Sequence, residues 1–281
     1  MSSVWQDHLF TAMIGLVTVA LFLVFGWIIG DLLLKGASHL SWQFFIAEPE
    51  SAGREGGIAP IIVSTVLILA VALVVALPLG LASAVWLAEY RQGSQRFGQL
   101  IRLSLDTLAG VPSIVWGLFG NAFFCVFLGL GFSILSGGLT LACMILPIFI
   151  RTSEAGLNAV NDDWRRGGAA LGMTRSAVIW HVLLPAATPA ISAGLMLGIG
   201  RATAETAALI FTSGYVDRMP DSVMDSGRAL AVHIYDLSMN VTGGDTAAYA
   251  SALVLVALVV VINLLAFVFS EYWFKRRITI L

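Results

Sequence analysis

Six long apolar runs, at about residues 9–34, 60–89, 103–129, 132–150, 189–213 and 247–272, constrain this chain more than any other feature. Each is long enough to cross a hydrocarbon core of about 30 Å as a helix rising about 1.5 Å per residue. Lipid gives the backbone no hydrogen-bond partners, so each run must satisfy its own amides by coiling. The β-branched Val63, Val71, Val74 and Val75 are therefore no bar to a helix. The expected fold is all-α: one transmembrane domain over residues 1–281, a polytopic membrane protein of six transmembrane helices. With 58% hydrophobic and only 11% charged residues, nothing is left over for a soluble domain.

The segment MSSVWQDH precedes the first run without a basic residue, and no small-residue cleavage site follows, so a retained span is expected there. Between the runs, residues 35–58 read as an exposed loop, and ALAVHIYDLSM at 229–239 as a stretch able to lie along the membrane surface. Arg91, Arg96, Arg102, Arg151, Arg165, Arg166, Arg175, Lys275, Arg276 and Arg277 fall on one side of a six-span topology, against Lys35, Arg54, Arg218 and Arg228 on the other. By the positive-inside bias, both termini and the loop at 151–188 are expected to be cytoplasmic. The net charge of −2 says little about acidic partners, and no nucleic acid is expected. Cys125 and Cys143 read as packing residues, and His8, His39, His181 and His233 form no metal-ligand pattern.

The fifth run contains Arg201 and Glu205. An ionised residue in mid-bilayer costs about 2.5–3.5 kcal/mol even on lenient scales, so the two need a reason to be there. Spaced i, i+4, they would share a helix face and neutralise each other. Two readings follow: an ion pair locking this helix to a neighbour, or a translocation path. Gly194, Gly198, Arg201, Glu205, Ala208 and Thr212 fall on one small and polar stripe, which leaves room for a solute or for a closely packed helix. On the path reading Arg201 is an anion ligand tempered by Glu205, with Thr206 and Thr212 alongside. In the third run, Gly110 and Pro112 predict either a kink or a gating pivot, and Asp106 either a place on the path or, so near a terminus, an interfacial or capping position.

The loop at 151–188 is long enough to require structure of its own. WRRGGAALGM predicts a short helix stopped by a left-handed Gly172, and TRSAVIWHVLLP a second one capped by Thr174 and ending before Pro185. Arg165, Arg166 and Arg175 would then line a docking surface, or the loop would merely tie two spans together.

Gly172, followed after nine residues by Val182-Leu183-Leu184-Pro185, resembles the cytoplasmic motif of ABC importer permeases, EAA, three residues, G, nine residues, I-x-LP. DTLAGVPSIVWGLFG at 106–120, ILSGGLTLACMILPIFIRTSEAGLNAV at 134–160 and RATAETAALIFTSG at 201–214 are similar to the A-type (PstA-like) phosphate-specific permeases. The resemblance implies the type I importer permease fold and ATP-driven import of inorganic phosphate by alternating access. The implied partners are a second related permease, an ABC ATPase dimer carrying ATP and Mg, and an extracytoplasmic phosphate-binding protein, all at the bacterial inner membrane. It makes Arg165, Arg166, Gly167, Gly168, Ala169, Leu171, Gly172 and Arg175 the surface coupled to the ATPase. The motif's Glu is Arg166 here and its two alanines are Gly167 and Gly168, so the acidic contact does not carry over. No P-loop, HExxH or GxSxG is present, so the chain is expected to be a transport subunit that binds no cofactor. A permease for another oxyanion (sulphate, molybdate or a phosphonate) and a membrane-embedded enzyme are the alternatives.

Overall fold

The computed structural model describes residues 2–90 and 95–278, and side chains within 7–90 and 96–268. Arg91 and the side chains of Lys275, Arg276 and Arg277 lie outside the described residues. The fold is all-α apart from one small hairpin. Among the described residues, five helices are long and apolar enough to cross a membrane, and six if a bent pair counts as one span.

Helix α1 (Ser2–Gly36) runs along the outside of the bundle. A short α2 (Trp42–Ile46) and a hairpin pairing β1 (Pro49–Glu50) with β2 (Glu55–Gly56) follow. The expected exposed loop at 35–58 is thus partly ordered and anchored, because Phe44 and Ile58 bury against Ile61, Leu230, Ala250 and Val254. Helix α3 (Ala59–Val85) continues as a π-helical turn over Trp86–Tyr90. Helices α4 (Gln95–Ala109) and α5 (Ser113–Gly120) come next, then α6 (Ile134–Asn158), α7 (Asp162–Ala170) and α8 (Arg175–Val178). The chain ends with α9 (Leu184–Thr203), α10 (Ala207–Ile210), α11 (Leu230–Met239) and α12 (Asp245–Ile278).

Helix α6 is the centre, with Leu141, Ala142 and Met144 fully buried. In a membrane, helix association rests on close packing, and small residues permit it. A Cβ on Gly138 would meet Val71 of α3 at 2.5 Å, and one on Gly156 would strike Ala190 of α9. The stripe of Gly194 and Gly198 belongs to this packing: their faces rest on Thr152 and Phe149, and on Ile145, all of α6. It is a helix contact and not part of a solute path.

Several boundaries differ from the sequence reading. Helix α6 runs on to Asn158, past the expected end at 150, because Glu154 and Leu157 bury against neighbouring helices. The second loop helix does not stop before Pro185. A π-helical turn at Ile179–Leu183 carries it into α9 past Pro185, so one span runs over Arg175–Thr203. Helix α11 does not lie on the membrane surface: Leu230, Val232 and His233 are fully buried, and the Leu230 amide donates to Thr65 Oγ1 at 2.8 Å.

Candidate translocation site and coupling surface

Two helix breaks meet inside the bundle. The first separates α4 from α5 at Gly110–Pro112, with a bend of 100° that makes the third run a broken span rather than one rod. Pro112 caps α5, and its carbonyl accepts from the Val115 amide at 3.0 Å. The second break, at Ala204–Thr206, ends α9 and opens the single turn α10, so the fifth run is not one helix to 213. No Gly or Pro marks this second break. Packing marks it: a Cβ on Gly117 of α5 would sit 2.9 Å from the Ala208 Cα, and one on Gly120 would collide with Thr140 and Thr212.

Arg201 and Glu205 therefore do not share a helix face, and among the described residues they form no ion pair. Each serves a different terminus. Arg201, on the last turn of α9, donates from Nη1 to the Ala109 carbonyl at 3.4 Å, placing a cation at the negative end of α4. Glu205 is 8% exposed, and its Oε1 accepts from the Ala208 amide at 3.1 Å, which caps α10. Thr206 is half-buried at the start of α10. Thr212 is fully buried with its hydroxyl donating to the Ala208 carbonyl at 2.8 Å, so it packs and does not line a path. What the structure brings together is a half-exposed guanidinium at the junction of two broken helices, where free backbone ends and a charge coincide inside a membrane protein. Discontinuous helices of this kind supply ion and solute sites in transporters.

At the far end of α3 the charges are organised into two clusters that the sequence reading missed. Glu154 of α6 is fully buried and held by Arg102 Nε at 2.6 Å and Arg151 Nη1 at 2.8 Å, while Arg151 Nε also reaches Asp106 at 2.8 Å. Asp106 is thus an ion-pair partner, not a cap. The i, i+3 spacing of Arg151 and Glu154 was the available signal.

The second cluster concerns α7. Arg165 does not face outward: it donates to Glu89 from Nη2 at 2.7 Å, to the Val160 carbonyl from Nη1 at 2.7 Å and to the Leu157 carbonyl from Nη2 at 2.8 Å. The bonds to Glu89 raise the Arg165 pKa further above its ordinary value. One guanidinium so ties α7 to the ends of α3 and α6. The remaining surface is presented outward as expected, with Arg166, Gly167 and Ala169 exposed and Leu171 82% exposed. Gly172 is left-handed (φ +72°), and Thr174 Oγ1 accepts from the Ala177 amide at 3.3 Å, so stop and cap stand where the sequence put them. Gly168 is buried, and a Cβ there would lie 2.6 Å from Val178 Cγ2, so the motif's second alanine would force Val178 to shift. Arg175 lies over the Tyr90 ring, 4.8 Å from its centroid.

The family profile described as "Binding-protein-dependent transport system inner membrane component" matches residues 76–279. Among similar proteins, the "Probable ABC transporter permease protein YqgI" of Bacillus subtilis is 30% identical over 92% of this chain and 93% of its own length. The "Phosphate transport system permease protein PstA 1" of Mycobacterium tuberculosis is 34% identical over 79% of this chain and 73% of its own. Among solved structures, a bacterial ABC transporter importing the acidic polysaccharide alginate superposes with a TM-score of 0.65 at 15% identity, covering 96% of this chain and 98% of that one, a likeness of fold. A chain with these helices, this outward α7 and these relatives belongs to the family of binding-protein-dependent transport system inner membrane components, the membrane-spanning permease subunits of ABC importers.

Proposed function

We propose that this chain is the A-type permease subunit of an ATP-driven importer of inorganic phosphate. The observation that carries the reading is the 34% identity to PstA 1 across most of both chains. The chain is a transport subunit and not an enzyme; hydrolysis of ATP, with its Mg, falls to a separate ATPase dimer. A second related permease completes the membrane pathway, and an extracytoplasmic phosphate-binding protein delivers the anion. The segregation of charge supports an orientation with both termini and α7 in the cytoplasm of a bacterial cell, since Arg102, Arg151 and Arg165 gather at the end of α3 opposite Arg54 and Arg228.

The mechanism is alternating access. ATP binding closes the ATPase dimer, α7 moves with it, and Arg165 passes that motion to α3 and α6 together. Arg201 then exchanges its long bond to the Ala109 carbonyl for charge-assisted bonds to a phosphate oxyanion, which are stronger and offer a planar fork two acceptors at once. A single cation suits a transient site, since several would hold the anion too well to release it. Uptake of radiolabelled phosphate by cells carrying this chain as their only A-type permease tests the reading. Phosphate uptake that unlabelled phosphate suppresses, and that sulphate or molybdate does not, is expected; uptake indifferent to phosphate overturns it.

A further inference from the structure

The end of α3 and the beginning of the Arg175–Thr203 span enclose an apolar groove of about 490 Å³, whose walls include Pro78, Leu81, Trp86, Tyr90, Ile179 and Trp180. Each wall includes one π-helical turn, at Trp86–Tyr90 and at Ile179–Leu183. Single π-helical turns are uncommon and recur at functional sites, and here two of them converge on one cavity.

Three features say what the groove accepts. Its walls belong to two helices long and apolar enough to cross a membrane, and its lining is almost wholly apolar, which suits an acyl chain. Trp86, Tyr90 and Trp180 are all exposed at its rim, and such amphipathic rings settle at headgroup level. Arg175 stands over Tyr90 at that rim, is exposed, and has no acidic partner among the described residues. Arg102, Arg151 and Arg165, by contrast, are each paired with a carboxylate. An unopposed guanidinium at the mouth of an apolar slot at the headgroup level is complementary to a phosphodiester carrying a hydrocarbon tail.

We infer that this groove is a binding site for an anionic phospholipid of the inner leaflet, one acyl chain lying between the two walls and the phosphate on Arg175. Occupancy would wedge the Arg175 end of the fifth span against the end of α3, beside the α7 clamp. The inference rests on the membrane-crossing helices and, for the leaflet, on the orientation proposed above; it is independent of which anion is transported.

The test uses the full-length chain within its assembled transporter, purified in mild detergent and titrated with phosphatidylglycerol or phosphatidylcholine, with bound lipid counted by native mass spectrometry. The wild type is expected to retain phosphatidylglycerol about five-fold better than phosphatidylcholine, the preference worth one cation at an anionic headgroup. Arg175→Ala should abolish the preference and Arg175→Lys keep it. Ala82→Phe, which fills the groove from α3, should lose both lipids. Ala82→Leu serves the same end if the larger ring disturbs folding. Equal retention of the two lipids by the wild type, unchanged binding in both Ala82 variants, or displacement of the lipid by inorganic phosphate overturns the proposal. So does lipid that binds the separated chain and is lost on assembly, because the groove would then be a subunit interface.

Discussion

Arg165 of α7 and Glu89 at the end of α3 are joined by a bidentate ion pair, Nη2 at 2.7 Å from Oε1 and Nε at 3.3 Å from Oε2, with Glu89 only 7% exposed. The pair makes α7 an extension of the membrane bundle and not a freely hinged loop. Removing the cation strands a buried carboxylate, a loss of about 3 kcal/mol. Arg165→Ala should therefore lower the thermal unfolding midpoint of the purified chain and uncouple ATP hydrolysis from uptake in the assembled transporter. Arg165→Lys should not restore coupling, since an ammonium cannot make the fork. An unfolding midpoint and coupling ratio equal to the parent's in Arg165→Ala would refute the clamp.

Arg201 and Glu205 should separate on mutation because they end different helices. Arg201→Ala is expected to cut phosphate uptake at least about ten-fold with assembly intact, the loss of one charge-assisted contact. Glu205→Ala removes a cap and should cost about 1 kcal/mol of stability. Glu205→Gln, which keeps the acceptor, should restore most of that stability. Uptake and thermal unfolding measured on the same preparations check both; matched losses in the two alanine variants would point back to an ion pair.

Three glycines of the α7 region should respond differently to alanine. At Gly167 the added methyl meets nothing within 4 Å inside a helix, so stability should hold or rise by up to about 1 kcal/mol. At Gly168 it meets Val178 at 2.6 Å and should destabilise. At Gly172 the space is open but φ is +72°, and left-handed backbone costs an L side chain about 1–2 kcal/mol. Chemical denaturation of the three variants gives the order directly.

His233 on α11 is pushed down to about 4, first by burial and then by the Arg228 charge, against the opposing pull of Asp236. Arg228 Nη1 lies 3.4 Å from its Nδ1, so that nitrogen accepts and the neutral ring carries its proton on Nε2. The unfolded chain protonates this histidine at about 6.5. Stability from the neutral ring is thus complete above that pH, falls as pH drops through it, and is lost by about pH 4, a total on the order of 3 kcal/mol. The unfolding midpoint should decline between pH 7 and pH 4.5, and His233→Asn, which keeps an acceptor but does not titrate, should flatten the decline.

Arg166 is exposed on α7, at the position of the Glu in the importer-permease motif that this loop resembles. On the proposed function, an acidic residue of the ATPase is predicted to face it. Arg166→Glu should impair uptake, and reversing the facing acidic residue to Arg should restore it. Failure of the double reversal to rescue would remove the pairing.

What the amino-acid order determined by itself is the class of fold and the helix ends written in local chemistry. Six apolar runs leave lipid-embedded backbone no alternative to helices. The turn at Gly110–Pro112, the stop at Gly172 and the cap at Thr174 follow from rules acting within a few residues. Only the tertiary structure decided the break at Ala204–Thr206, because no breaker stands there and the short α10 beyond it packs closely on α5, Ala208 against Gly117. For the same reason Arg201 and Glu205, adjacent on any ideal helix, part company, and Gly194, Gly198 and Thr212 go to packing. Glu89 and Arg165 find each other across 76 residues. Periodicity can show which face a side chain occupies, but a buried charge is placed by whichever distant partner satisfies it, and that partner is chosen in three dimensions.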